Sequence, residues 1–182
     1  MSRHVPALLL VAIGVLGLSV APGLHSRVGD DVLRPAMAGV ALGARAAAAD
    51  INWMSWDQAV TANKESAKPL IIDVYTDWCG WCKRMDATTF KDPRVAEYVN
   101  ANFYAVKLDA EQKGDIVYDG TTFSFQQQGK RGVHTLAASL LDGRLSYPSI
   151  VYFNGKMERT MISPGFKDAE ALLAELKRAA GK

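Results

Sequence analysis

The stretch LIIDVY at 70–75 is almost continuously apolar, and three residues later comes WCGWC, which holds the only two cysteines of the chain, Cys79 and Cys82. A short unbroken apolar run is the pattern of a central strand covered on both faces, so a sheet with helices on either side is the simplest frame. Only Asp73 interrupts the run. The pair then falls at the turn where that strand hands over to a helix.

The surrounding text fits this frame. Ser55 with Gln58 three residues later forms a capping-box pattern, and Trp56, Ala59 and Val60 give the helix that follows one apolar face; Trp53 and Trp56 are expected in the core. Cys82 to Phe90 reads as helical, and Asp92-Pro93 restarts a helix carrying Val95, Tyr98 and Val99. Phe103 to Leu108 reads as a strand, HTLAASLL as a helix stopped at Asp142-Gly143, and YPSIVYF as a strand turning at Asn154-Gly155 into ERTMIS. A last amphipathic helix carries Ala169, Leu172, Leu173 and Leu176. Two adjoining strands after the last crossover make the sheet mixed, and the fold class is α/β. Between Ala110 and Arg131 the pattern loosens, with Asp119-Gly120 as the signal for a two-residue hairpin turn.

The first 49 residues differ in kind. Arg3 and His4 precede an apolar run from Val5 to Leu24, and a small-residue stretch ends in ARAAAAD. This reads as an export signal, cleaved near Ala49 or Ala21 or, given the length of the run, retained as a membrane anchor. The domain expected after it, 50–182, has 17 basic and 17 acidic residues and no basic cluster, so nucleic acid is not an expected partner. Export places the cysteine pair in an oxidising compartment.

A zinc clip needs four ligands, but no second cysteine pair exists and two of the three histidines, His4 and His25, lie in the leader; no metal site is expected. Covalent haem requires histidine after the second cysteine, where Lys83 stands. A structural staple across two residues would constrain little of the unfolded chain. A redox couple fits better, because a thiolate at a helix N-terminus meets free backbone N–H groups and the positive end of the helix dipole. Cys79 is then the exposed nucleophile and Cys82 the resolving thiol.

VYTDWCGWCKRM resembles the active-site stretch of the thioredoxin superfamily. The likeness through INWMSWDQAV, KPLIIDVYTDWCGWCKRMDATTF and FYAVKLDAE is to its exported members, of the type of the C-terminal domain of the reductant carrier DsbD, and it covers about 51–180. The resemblance implies a thioredoxin fold, with an insertion at about 110–132. It also implies a thiol-disulfide oxidoreductase of periplasmic or otherwise exported location, acting on protein disulfides without a dissociable cofactor. A membrane reductant carrier of DsbD type would reset it.

By the same resemblance Asp73 takes the place of a buried aspartate that serves the resolving cysteine, and Lys107 that of a supporting lysine. Pro148 takes the place of a cis-proline whose preceding residue, Tyr147, offers backbone hydrogen bonds to substrate; Gly165 matches a late glycine. Trp78 and Trp81 border the substrate site. Trp81 stands where thioredoxin has proline, so neither the potential nor the direction of electron flow carries over. A disulfide oxidase or isomerase, and a chaperone or assembly factor for cysteine-bearing clients, remain open beside the reductase.

Overall fold

A computed structural model of the protein describes residues 50–181. The expected signal or anchor at 1–49 lies outside the described residues. Among the described residues no helix is long and apolar enough to cross a membrane.

The chain runs β1 (Trp53–Met54), α1 (Trp56–Glu65), β2 (Leu70–Tyr75), α2 (Gly80–Ala87), α3 (Pro93–Asn102) and β3 (Tyr104–Asp109). Two small hairpins follow, β4 (Ile116–Tyr118) with β5 (Thr121–Phe123) and β6 (Phe125–Gln128) with β7 (Arg131–His134). Then come α4 (Thr135–Leu140), β8 (Ser149–Phe153), β9 (Arg159–Pro164) and α5 (Ala169–Ala179). The main sheet has the order β1-β3-β2-β8-β9, with β1, β3 and β2 parallel, β8 antiparallel to β2, and β9 antiparallel to β8. It is the mixed sheet flanked by helices that the sequence pattern predicts.

Strand β2 lies at the centre and is buried from Leu70 to Val74. Its side chains alternate. Leu70, Ile72 and Val74 meet Trp56 and Ala59 of α1 and Leu136, Ala137 and Leu140 of α4 on one face. Ile71 meets Met85 of α2, Val95 and Val99 of α3, and Leu172 and Leu176 of α5 on the other. Asp73 has the parity of Ile71, so the one carboxylate of this strand stands on the face that α2 covers.

The helix starts follow local chemistry. Ser55 and Gln58 make the reciprocal capping box, Asp92 caps α3 ahead of Pro93, and Asp168 caps α5. Three details differ from the sequence expectation. The helix expected from Cys82 to Phe90 ends at Ala87, because Thr88 leaves helical backbone angles, and a 3-10 turn at Thr89–Lys91 follows. Trp53, expected in the core with Trp56, is only half-buried, on edge strand β1.

The third difference lies in the loosened segment. The Asp119-Gly120 turn is present, with φ of 48° and 71° at its two residues, the left-handed pair that a two-residue hairpin requires. The β6–β7 hairpin after it was not expected, since FQQQGKRGVH lacks an apolar alternation. One glycine is essential to that hairpin. A Cβ on Gly132 would lie 2.2 Å from Cζ of Phe125 and 2.4 Å from the carbonyl oxygen of Gln126.

Candidate active site

Cys79 is the N-cap of α2, and its Sγ accepts the backbone N–H of Cys82 at 3.1 Å. The two sulfurs are bonded as a disulfide. The local sequence explains the turn: the N–H of Cys79 donates to the carbonyl of Thr76, and that of Lys83 to the carbonyl of Cys79, which starts the helix. Exposure separates the sulfurs less than expected. Cys79 retains 5% exposure and Cys82 2%, so the nucleophile expected to be exposed is buried like its partner.

Large side chains frame the pair. Trp78 and Trp81 are 49% and 56% exposed, unusual for rings of that size. Trp78 stands edge-on to Tyr147, centroids 6.0 Å apart, which brings the cysteine loop against the residue before Pro148. The Tyr147–Pro148 bond is cis, and the Pro148 carbonyl accepts the N–H of Gly165 at 2.8 Å. Gly165 has φ of +86°, a conformation open to glycine, and the ring of the next residue, Phe166, lies against Trp81, centroids 5.4 Å apart and planes tilted by 50°. Burial, with Glu111 and Asp109 nearby, pushes the Tyr147 phenol up to about 12, so it stays a neutral hydroxyl.

A second group of charges sits inside. Asp73 is 1% exposed, its register neighbour on β3 is Lys107, and the Lys107 ammonium donates to Asp73 Oδ2 at 2.8 Å. The same ammonium donates to Asp86 on α2. It lies 4.8 Å from the Tyr75 ring centroid and 5.2 Å from those of Trp53 and Phe90, so aromatic faces complete its surroundings. Burial pushes the Asp73 carboxyl up to about 6, against the opposing pull of Lys107. Burial lowers the Lys107 ammonium, but Asp73 and Asp86 outweigh it and hold the group above its usual range. Asp73 Oδ1 has no hydrogen-bond partner in its buried position. A carboxyl that titrates near neutrality with one oxygen free can take up and release a proton.

Of the residues singled out from sequence, Trp78, the neighbour of Cys79, meets Tyr147, the neighbour of Pro148, and Trp81 meets Phe166, the neighbour of Gly165. Asp73 and Lys107 pair beneath the same helix face. The sequence reading missed Asp86, although its position four residues after Cys82 sets it one turn further along α2. It also missed two arginines. Arg131 of β7 lies over the Trp78 ring at 4.2 Å, and Arg84 of α2 lies over Trp81 at 5.5 Å and over Phe166 at 5.7 Å. No sequence signal links Arg131 to a ring 53 positions away.

The family model Thioredox_DsbH, described as a protein of unknown function, DUF255, matches residues 42–179. The chain belongs to the Thioredox_DsbH family. Among relatives, the thiol:disulfide interchange protein DsbD of Ralstonia nicotianae is 29% identical over 126 residues, 69% of this chain and 18% of that protein. The disulfide bond reductase DsbH of Chlamydia pneumoniae is 28% identical over 68 residues, 37% of this chain and 41% of that protein. The chain spans only 9% or 10% of the length of the first curated relatives it matches. A solved DsbH oxidoreductase superposes with a TM-score of 0.55 at 16% identity, over 85% of this chain and 95% of that one. That likeness shows a thioredoxin-type fold for this member of the Thioredox_DsbH family, as the resemblance implied.

Proposed function

We propose that the protein is an exported thiol-disulfide oxidoreductase that reduces protein disulfides through Cys79 and Cys82. The observation that carries the reading is Cys79 at the N-terminus of α2, its sulfur on the Cys82 N–H, with Trp78 against Tyr147 beside it. A thiolate at that position gains from the backbone donor and the helix dipole.

In the reduced protein the Cys79 thiolate attacks one sulfur of a substrate disulfide. That bond breaks, a mixed disulfide forms, and the departing substrate sulfur takes a proton. Tyr147 and Pro148, with Trp78 and Trp81, border the place where the mixed disulfide sits. Asp73 receives the proton of Cys82, whose thiolate attacks the Cys79 sulfur; the bond from Cys79 to the substrate breaks, and the second substrate sulfur leaves and takes that proton to become a thiol. Two electrons pass to the substrate and the Cys79–Cys82 disulfide remains. Lys107 holds Asp73 in its charged form and so sets when that base is available. The electrons travel in the cysteine pair, so no dissociable cofactor or metal takes part.

Within this proposal residues 1–49 serve as export signal or anchor, 50–182 as the redox domain, and 110–132 as an insertion beside it. A membrane reductant carrier, of the kind the DsbD likeness suggests, returns the electrons. The test is the equilibrium reduction potential against glutathione, with Cys79→Ser as control. A value near the thioredoxin end, about −270 mV, supports a reductase; one near −120 mV means an oxidant that donates its disulfide and overturns the direction proposed. Cys79→Ser must abolish exchange. A cellular phenotype that survives this substitution would point instead to a client-binding role.

A further inference from the structure

The two tryptophans that border the disulfide are each covered by an arginine, and the two arginines come from different parts of the chain. Arg131 arrives from the β6–β7 hairpin to lie over Trp78, and Arg84 from α2 to lie over Trp81 and Phe166. Both are exposed, and each follows an exposed lysine, Lys130 or Lys83. Among the described residues neither guanidinium has an ion pair or a hydrogen bond, whereas Arg94 and Arg159 elsewhere on the surface both hold carboxylates. A guanidinium lying over a ring uses its face and keeps its N–H donors, all in its own plane, free for an incoming carboxylate.

From this arrangement, and resting on the proposed reduction of protein disulfides, we infer that Arg84 and Arg131 form two guanidinium brackets that select substrates with acidic side chains beside the attacked cysteine. The rings hold the brackets in place: Arg131 fixed on Trp78 has less side-chain freedom to lose on binding than a solvated arginine. One feature of the surface opposes the arrangement. Asp77, Asp109 and Glu111 form a like-charged group near Tyr75 and Tyr147, where Asp77 and Glu111 help to raise the Asp109 carboxyl. None of the three forms an ion pair with Arg84 or Arg131, so the arginines stay free for a partner. The same group gives the opposite preference if it dominates the field, since it would favour lysine beside the substrate cysteine.

The experiment uses the full chain, reduced beforehand and mixed with disulfide-bridged peptides that differ only in the residues flanking one cysteine: glutamate, glutamine or lysine. Tryptophan fluorescence follows a single turnover. The expected result is a rate constant per peptide concentration about fivefold higher for glutamate than for glutamine, the size of one favourable exposed ion pair. The ratio declines with added salt and falls to about one in the Arg84→Gln/Arg131→Gln protein. Equal rates for glutamate and glutamine, a preference for lysine, or a glutamate preference that persists in the double variant overturns the inference. The comparison in the unaltered protein decides the matter even where the double variant does not fold. Failure to reduce any peptide, glutamine included, removes the oxidoreductase reading itself and is thereby distinct from a failure of selectivity.

Discussion

Two sets of charges lie around the helix that carries the cysteine pair, and they differ in almost every physical respect. Asp73, Lys107 and Asp86 are tied together under α2, with Asp73 almost wholly out of water, and their interactions change protonation states. Arg84 and Arg131 lie outside on exposed rings and, among the described residues, form no ion pair. A charge in the interior acts on chemistry and on folding at once, because desolvation makes its ionisation expensive. A charge at the rim acts on encounter and selection, and water screens its worth. Substitutions at the two sets should therefore differ in size and in their dependence on pH and salt.

The largest effect is expected at Asp73. Its carboxyl stands at about 6 in the folded protein against 3.8 as the ordinary value, so the folded state holds this proton more tightly than the unfolded one. As pH rises through that interval the unfolded chain ionises first, and stability falls. The two pH units or so amount to about 3 kcal/mol lost by pH 7. Asp73→Asn, which cannot ionise, should match the parent near pH 4 and exceed it by up to about 3 kcal/mol at pH 7 in urea unfolding. It should also slow release of the mixed disulfide, and a variant with parental stability across this range would remove Asp73 from the buried ionised state.

Gly132→Ala breaks the comparison from the other side, because it disturbs the outer set without touching the inner one. The added Cβ meets Phe125 and the Gln126 carbonyl, so the β6–β7 hairpin must shift or open, at a cost of about 2 kcal/mol typical of overpacking. Amide exchange should rise at 125–134 and stay unchanged in β2 and β8. Protection lost across the whole sheet would mean that the hairpin is part of the core.

These elements also differ in how far the sequence reveals them. LIIDVY, the Ser55 capping box, the cysteine turn and the Asp119-Gly120 turn were legible because each is set by neighbours within a few residues, and so was the position of Asp73, since a carboxylate in an apolar strand stands out. Pro148 and Lys107 were legible only through the family resemblance. The second hairpin was not, because its exposed strand residues, Gln126 to Gln128, carry no apolar period. Arg131 on Trp78 was hidden for the same reason, as its partner is set by how that hairpin lies. Asp86 was the one avoidable miss.

Lys107→Met tests the inner set more gently than its burial suggests. Removing one member of a buried ion pair often costs about 3–5 kcal/mol. Here Asp73 has an escape: with its carboxyl at about 6, taking up a proton at pH 7 costs only about 1.4 kcal/mol, which caps the penalty that passes through Asp73. The expected loss is therefore about 1–2 kcal/mol at pH 7 and smaller at pH 5, where the carboxyl is already largely protonated. A loss of 4 kcal/mol independent of pH would show that Asp73 stays charged without its lysine.

The smallest effect on stability is expected at the rim. Arg131→Ala removes an exposed cation over Trp78, worth about 0.5–1 kcal/mol at most, and the same holds for Arg84→Ala over Trp81. Neither ring is held by its arginine alone, because Trp78 also meets Tyr147 and Trp81 also meets Phe166. The urea midpoint should move little, and its pH dependence should keep the slope that Asp73 imposes. Tryptophan emission should change in both variants, since each loses a charge beside an exposed indole. A stability loss above about 2 kcal/mol in either variant would mean that the arginine supports the fold, and the division between an interior set that governs protons and an outer set that governs partners would not hold.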